Sequence, residues 1–289
     1  MPLRQLYPEA HVGGDSNPAS PARVDIFAIH GLNPRSKKDV DHAWDTWRTP
    51  PGSHGRLWLR DDLPQSIPNS RIFLYQYNST AVYGKDRTTF VDKANDLLEA
   101  IRAEREEDGD GVDGEGSETR PILFLGHSLG GLLIKQALVN AHNNPKYRPI
   151  KEATRGIAFF ATPHNGGNRM LVGIGGIAAR IALDLGFQKG DNIIEMLRDG
   201  GLFSDMMQEL WRQQLLAYNI VTFWGSLDSI VPRESARLSL PGDRENVVTL
   251  AADHRSICKF GKSETDQDNF KLVRTNIKDL YKSAIQPRE

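Results

Sequence analysis

Cysteine is almost absent from this chain: the single thiol, Cys258, excludes an internal disulfide framework and any cysteine-based metal cluster. Long apolar runs are missing as well. No stretch approaches the roughly 18 apolar residues of a membrane-spanning helix, and the opening MPLRQLYPEAHVGGDSNPAS holds no apolar core of signal-peptide length. Net charge is also lacking. With 36 Lys and Arg against 37 Asp and Glu, nothing draws the chain electrostatically to nucleic acid or an anionic membrane. The eight histidines include no pair at helical spacing with a carboxylate between, so no metal site is expected. These absences point to a cytoplasmic setting with no cofactor and no transmembrane segment, and in that setting the sequon Asn78–Thr80 is chance.

What is present is ordinary globular composition, 39% hydrophobic and 25% charged over 289 residues, which suits one α/β unit. Residues 1–22 read as a loose leader rich in Pro, Gly, Ser and Asn, and 23–289 as the folded domain. Apolar runs at 23–30, 71–77, 121–126, 156–161, 220–225 and 246–250 read as buried strands. Helical patterns cover 90–106, 130–142 and 267–283. The alternation predicts a mostly parallel sheet covered by helices on both faces. Residues 106–119, EEDGDGVDGEGSET, carry nothing to bury and read as an acidic mobile surface loop. Residues 165–217 hold two helical stretches, more chain than a simple crossover needs, and read as a helical lid.

The chemistry is carried by GHSLG, residues 126–130. A strand-like PILFLG precedes it and a helix-like GLLIKQALVNA follows, the context of a nucleophile elbow. A turn this tight leaves no room for side chains two residues either side of Ser128, hence the flanking glycines. The helix that follows directs its first amides at developing negative charge.

A serine hydroxyl needs a base, and the base needs an orienting acid. Asp228, in IVTFWGSLDSIVP, and His254, in VVTLAADHRSICKF, both follow strands, in the order nucleophile, acid, histidine. Glu234 and Asp253 are weaker candidates for the acid. The backbone amides of Leu129 and of Leu32, in IHGLNP, are the expected oxyanion donors. His30 is expected to shape the oxyanion loop, and His127 to pack or hydrogen-bond locally. His164, in ATPHNGG, could line the pocket together with Ile174, Ile177 and Ile181 of the lid. Trp44, Trp47 and Trp58 read as packing under a long loop.

Taken together, VDIFAIHGL, WLRDDLP, RIFLYQYNS, GHSLGGLLIKQAL, GIAFFATPHNGG and DHRSICKF resemble the lipase-like serine esterases, the fungal branch above all, whose domains often head NACHT- or ankyrin-containing proteins. The mitochondrial serine-active-site lipid-remodelling proteins and the GPI-inositol deacylases are more distantly similar. The resemblance runs from about residue 23 to 283. It implies an α/β-hydrolase fold and a triad at Ser128, Asp228 and His254. The expectation is a serine esterase acting on a small, hydrophobic or acyl-bearing ester through an acyl-serine. The rivals are a non-catalytic interaction domain on the same fold, and an acyltransferase or amidase using the same residues.

Overall fold

The computed structural model describes residues 3–8, 22–35, 38–83, 87–109, 120–164, 173–199, 205–240 and 244–287. Its centre is a seven-stranded sheet: β1 (Leu3–Tyr7), β2 (Val24–Ile29), β3 (Ser70–Tyr75), β4 (Ile122–His127), β5 (Thr154–Phe160), β6 (Asn219–Gly225) and β7 (Glu245–Leu250). The spatial order is β1-β3-β2-β4-β5-β6-β7. Six strands run parallel, and β1 pairs antiparallel with β3 at the edge.

The central strands form because they can be buried on both faces. Along β2, Phe27 and Ile29 enter one apolar cluster while Val24, Ile26 and Ala28 enter the other. That is the period of two expected of a strand whose two sides are both covered. The first cluster packs under α1 (Arg87–Gly109), α2 (Leu129–Asn143) and the later helices α3 (Ile174–Asp184), α4 (Asn192–Asp199) and α5 (Asp205–Gln214). The second packs under α6 (Glu264–Ala284), which presents Phe270, Val273, Ile277, Leu280 and Tyr281 at helical spacing. Trp47 and Trp58 are buried in this second cluster, edge-on to one another and close to Phe160, so the tryptophans are core. Ser263 caps α6, its hydroxyl accepting the Asp266 amide.

Two expectations need correction. Leu3–Tyr7, assigned to a loose leader, is instead the edge strand β1, because Leu3 and Leu6 alternate into opposite clusters while the residues between them face out. Residues 106–109, assigned to the acidic loop, continue α1. The rest of that loop, 110–119, lies outside the described residues, as do 9–21 of the leader and 165–172 and 200–204 of the insertion.

Candidate active site

Four loops at the carboxyl ends of parallel strands meet at one spot, where open α/β sheets hold their ligands. They follow β2, β4, β6 and β7, and carry Leu32, Ser128, Asp228 and His254. Ser128 lies between β4 and α2 at φ 54°, ψ −130°. A residue with a Cβ in that region carries strain of about 1–3 kcal/mol, which persists only where the surroundings enforce it. Here the Ser128 amide donates to the Phe160 carbonyl (2.8 Å), and the Ser128 carbonyl accepts from Gly131 (3.1 Å). Close approach explains two glycines. A Cβ on Gly31 would lie 2.7 Å from Ser128 Cβ, and one on Gly130 would lie 2.3 Å from the His30 carbonyl. The oxyanion loop and the elbow are therefore packed backbone against backbone.

The structure brings Ser128, His254 and Asp228 together. Ser128 Oγ is 2.8 Å from His254 Nε2, and His254 Nδ1 is 3.0 Å from Asp228 Oδ2. All three are buried. The other carboxylate oxygen, Oδ1, accepts the amides of Ile230 (2.8 Å) and Val231 (2.9 Å), so the carboxylate is held by its own loop. Glu234 is exposed in the short helix Arg233–Ala236. Asp253 is occupied in its own turn, accepting from Ser256 and Arg255. Leu129 opens α2, and Leu32 follows Gly31 beside the serine, so both backbones lie at the nucleophile.

The support behind these loops was not legible in the sequence. Tyr77 donates its hydroxyl to the His30 carbonyl (2.7 Å), Tyr83 donates to the Leu129 carbonyl (2.8 Å), and the Asn33 amide donates to Ser79 Oγ (2.8 Å). Together they fix both flanks of the expected oxyanion site. The one available signal was RIFLYQYNS, where Tyr77 follows directly on a strand that ends at Tyr75; nothing marked Tyr83. His30 stacks on Tyr77, and burial pushes its ring down to about 4. His127 packs inside the elbow, its ring 5.4 Å from that of His254, and its hydrogen bond is a distant one. Its Nε2 donates to the carbonyl of His254, 127 residues away (3.0 Å), which ties the elbow to the base loop. Burial first, then the neighbouring His254, lowers His127 to about 3, so it stays neutral and keeps that tautomer.

The cavity over Ser128 has a volume of about 440 Å³. Its apolar wall is Leu32, Pro34 and Leu185; its polar wall includes Asp45, Thr46, Asp184, Arg255 and Lys259. The expected pocket residues lie elsewhere. Ile177 and Ile181 are buried in the first core cluster, and Ile174 packs half-buried against it. Their apolar face is explained by helix burial alone. His164 is buried edge-on to Phe159, its backbone N–H bonded to the Ser235 carbonyl, and its ring nitrogens have no hydrogen-bond partner among the described residues. Burial holds its ring well below the ordinary histidine range.

No family model matches the chain. It is 25% identical to Protein SERAC1 of Bos taurus over 278 residues, which is 85% of this chain and 38% of that protein. It is 26% identical to Protein SERAC1 of Mus musculus over 267 residues, 83% and 37% of the respective chains. The chain thus spans a little over a third of the length of these relatives. Among solved structures, the lipase BlEst2 of Bacillus licheniformis superposes with a TM-score of 0.52 at 17% identity, covering 95% of this chain and 97% of the lipase. With its parallel sheet, its elbow and that superposition, the chain has the α/β-hydrolase fold.

Proposed function

We propose that the chain is a serine hydrolase that cleaves carboxylic esters through an acyl-serine intermediate. The observation that carries this reading is the continuous relay Ser128 Oγ, His254 Nε2, His254 Nδ1, Asp228 Oδ2, with links of 2.8 and 3.0 Å. In it the Ser128 hydroxyl donates to Nε2 and the Nδ1 proton to the carboxylate, which fixes the reactive tautomer.

As Oγ attacks the ester carbonyl, its proton passes to Nε2 and the carbonyl electrons move onto oxygen. The Leu32 and Leu129 amides receive that charge. Collapse of the intermediate expels the alcohol, which takes the proton from Nε2 and leaves the acyl group on Ser128. A water then gives its proton to Nε2 as it attacks the acyl carbon; collapse of this second intermediate breaks the acyl–Oγ bond, returns the proton from Nε2 to Ser128 Oγ and releases the acid. Asp228 stabilises the imidazolium in both halves. The cavity favours an ester of modest size with an apolar group toward Leu32, Pro34 and Leu185 and a polar group toward the charged wall.

Fluorophosphonate labelling and a panel of chromogenic esters test the reading. Wild type is expected to label and to turn over esters. Ser128→Ala should lose both, with melting temperature retained and only residual catalysis from the oxyanion donors. Labelling that survives in Ser128→Ala would put the nucleophile elsewhere, and wild type inert to both reagents would favour a binding module on this fold.

A further inference from the structure

We propose that the turn Asp184–Asp191 is a strap across the Ser128 cavity, and that Leu185, which it carries, selects substrates by bulk; this rests on the ester-hydrolase reading above. Asp184, Leu185 and Gly186 line the same cavity as Ser128 and His254. Leu185 is the one apolar side chain that this turn adds to the wall formed by Leu32 and Pro34.

The turn is tied to both of the loops that flank the serine. From the loop after β2, the Arg35 amide donates to the Leu185 carbonyl (3.2 Å) and Arg35 Nη1 to Asp191 Oδ2 (2.8 Å). From the loop after β7, Arg255 Nε donates to Asp184 Oδ2 (2.6 Å), and Arg255 Nη2 to the Asp184 carbonyl. Arg35 lies three residues past Leu32, and Arg255 directly follows His254. The two arginines therefore link Leu185 to the oxyanion donor on one side and to the base on the other. Gly186, at φ 92°, reverses the chain after Leu185, and the Gln188 amide bonds Asp191 to close the turn.

Root and fastenings differ in strength. The strap grows from α3, whose Ile177 and Ile181 are buried in the core. The arginine side chains are 53% and 54% exposed, and such ion pairs are weak and screened by salt. Leu185 stays bonded to α3 through its amide and the Ile181 carbonyl, with Phe187 buried beyond it, so yielding pins let the turn shift slightly at Leu185 and widen the cavity for a bulky ester. Strap position and substrate range are thereby coupled to ionic strength.

The experiment compares wild type, Leu185→Ala, Leu185→Trp and the double variant Arg35→Gln/Arg255→Gln on acetyl to decanoyl chromogenic esters, at low and high salt. Leu185→Ala should raise the ratio of long-chain to short-chain kcat/KM by about tenfold, the scale on which apolar pockets discriminate, and Leu185→Trp should lower it. The double variant should shift the ratio in the same direction as Leu185→Ala and lose the salt dependence of wild type. Ratios that stay fixed in both Leu185 variants at unchanged melting temperature would overturn the proposal. Should esters not turn over while Ser128 still labels, the same ratio is read from labelling rates of short- and long-alkyl fluorophosphonates. Absence of labelling would sink the hydrolase reading and with it the selection by Leu185, leaving only the strap to be decided. Amide hydrogen exchange over residues 185–191 would then decide the strap: faster exchange in the double variant supports it, and equal exchange overturns it.

Discussion

Two buried carboxylates lie at opposite ends of the sheet and are used in opposite ways. Asp228, at the carboxyl ends of the strands, commits one oxygen to two amides of its own loop and leaves the other to a single imidazole. Asp25, near the start of β2, is enclosed by three guanidiniums: Arg71 (2.8 and 3.1 Å), Arg105 (2.6 Å) and Arg120 (3.2 Å). A carboxylate saturated by arginines can only hold elements together, here β2, β3, α1 and the residue that leads into β4. A carboxylate fixed by backbone and offered to one histidine can stabilise a charge that comes and goes. The difference teaches that burial of a charge does not mark a reactive site; the partner it is left to meet does.

The sharpest way to break the comparison is to neutralise each carboxylate. Asp228→Asn should lower kcat by about 10³–10⁴ through loss of tautomer control and imidazolium stabilisation, with little change in melting temperature. Glu234→Gln, in an exposed first turn, should change kcat by less than about twofold; a comparable loss there would make the orienting acid shared.

Asp25→Asn should do the reverse. Leaving buried guanidiniums short of their anion costs about 3–5 kcal/mol of stability, or about 10 °C in a chain of this size, with kcat per folded molecule unchanged. Equal kcat losses at both aspartates, measured beside calorimetric melting, would erase the distinction.

The sequence carried most of the Asp228 end and little of what supports it. Central strands were legible because burial on both faces demands continuous apolar runs such as VDIFAI and ILFLGH. Ser128 was legible because only glycines tolerate the backbone contacts around it. Asp228 and His254 followed from chain order and strand ends. The edge strand LRQLY was not legible, being short and half-exposed, with its partner strand almost seventy residues away. Nor was the tyrosine clasp, since a hydroxyl reaching a carbonyl 46 or 47 residues distant leaves no periodic trace. Ile174, Ile177 and Ile181 show the limit of patterning: an apolar helix face reads alike whether it covers a substrate or a core.

The next effect in size is acid lability. Burial lowers His30 to about 4 and His127 to about 3, and lowers His164 in the same direction. The unfolded chain takes up these protons near pH 6.5, while the folded chain refuses them until far lower. The stability they contribute is therefore fully present above pH 6.5 and is lost as pH falls toward 4 and 3. Lowering the pH from 7 to 5.5 should cost about 3–4 kcal/mol, roughly 1.2 from each of the three rings, read by denaturant melts at both values. His127→Gln should flatten that dependence, and an unchanged slope would mean that His127 titrates normally.

The smallest expected effect concerns the clasp. Tyr77→Phe keeps the ring stacked on His30 but removes the donor to the His30 carbonyl, leaving a buried acceptor unmet at a cost of about 1–3 kcal/mol. That carbonyl lies two residues before Leu32 and against Gly130, so its release loosens the backbone that is to hold the oxyanion. If the clasp only stabilises the fold, melting temperature falls and kinetics stay as they were. If it positions the Leu32 amide, kcat should fall about five- to tenfold with KM nearly constant, because the amide meets its charge only in the transition state. Tyr83→Phe, which frees the Leu129 carbonyl on the opposite flank, should show the same split, and the double variant should lose little more than either alone if the two hydroxyls hold one site. A fall in melting temperature with unchanged kcat in both single variants would reduce the clasp to scaffolding, no different in kind from the arginines around Asp25.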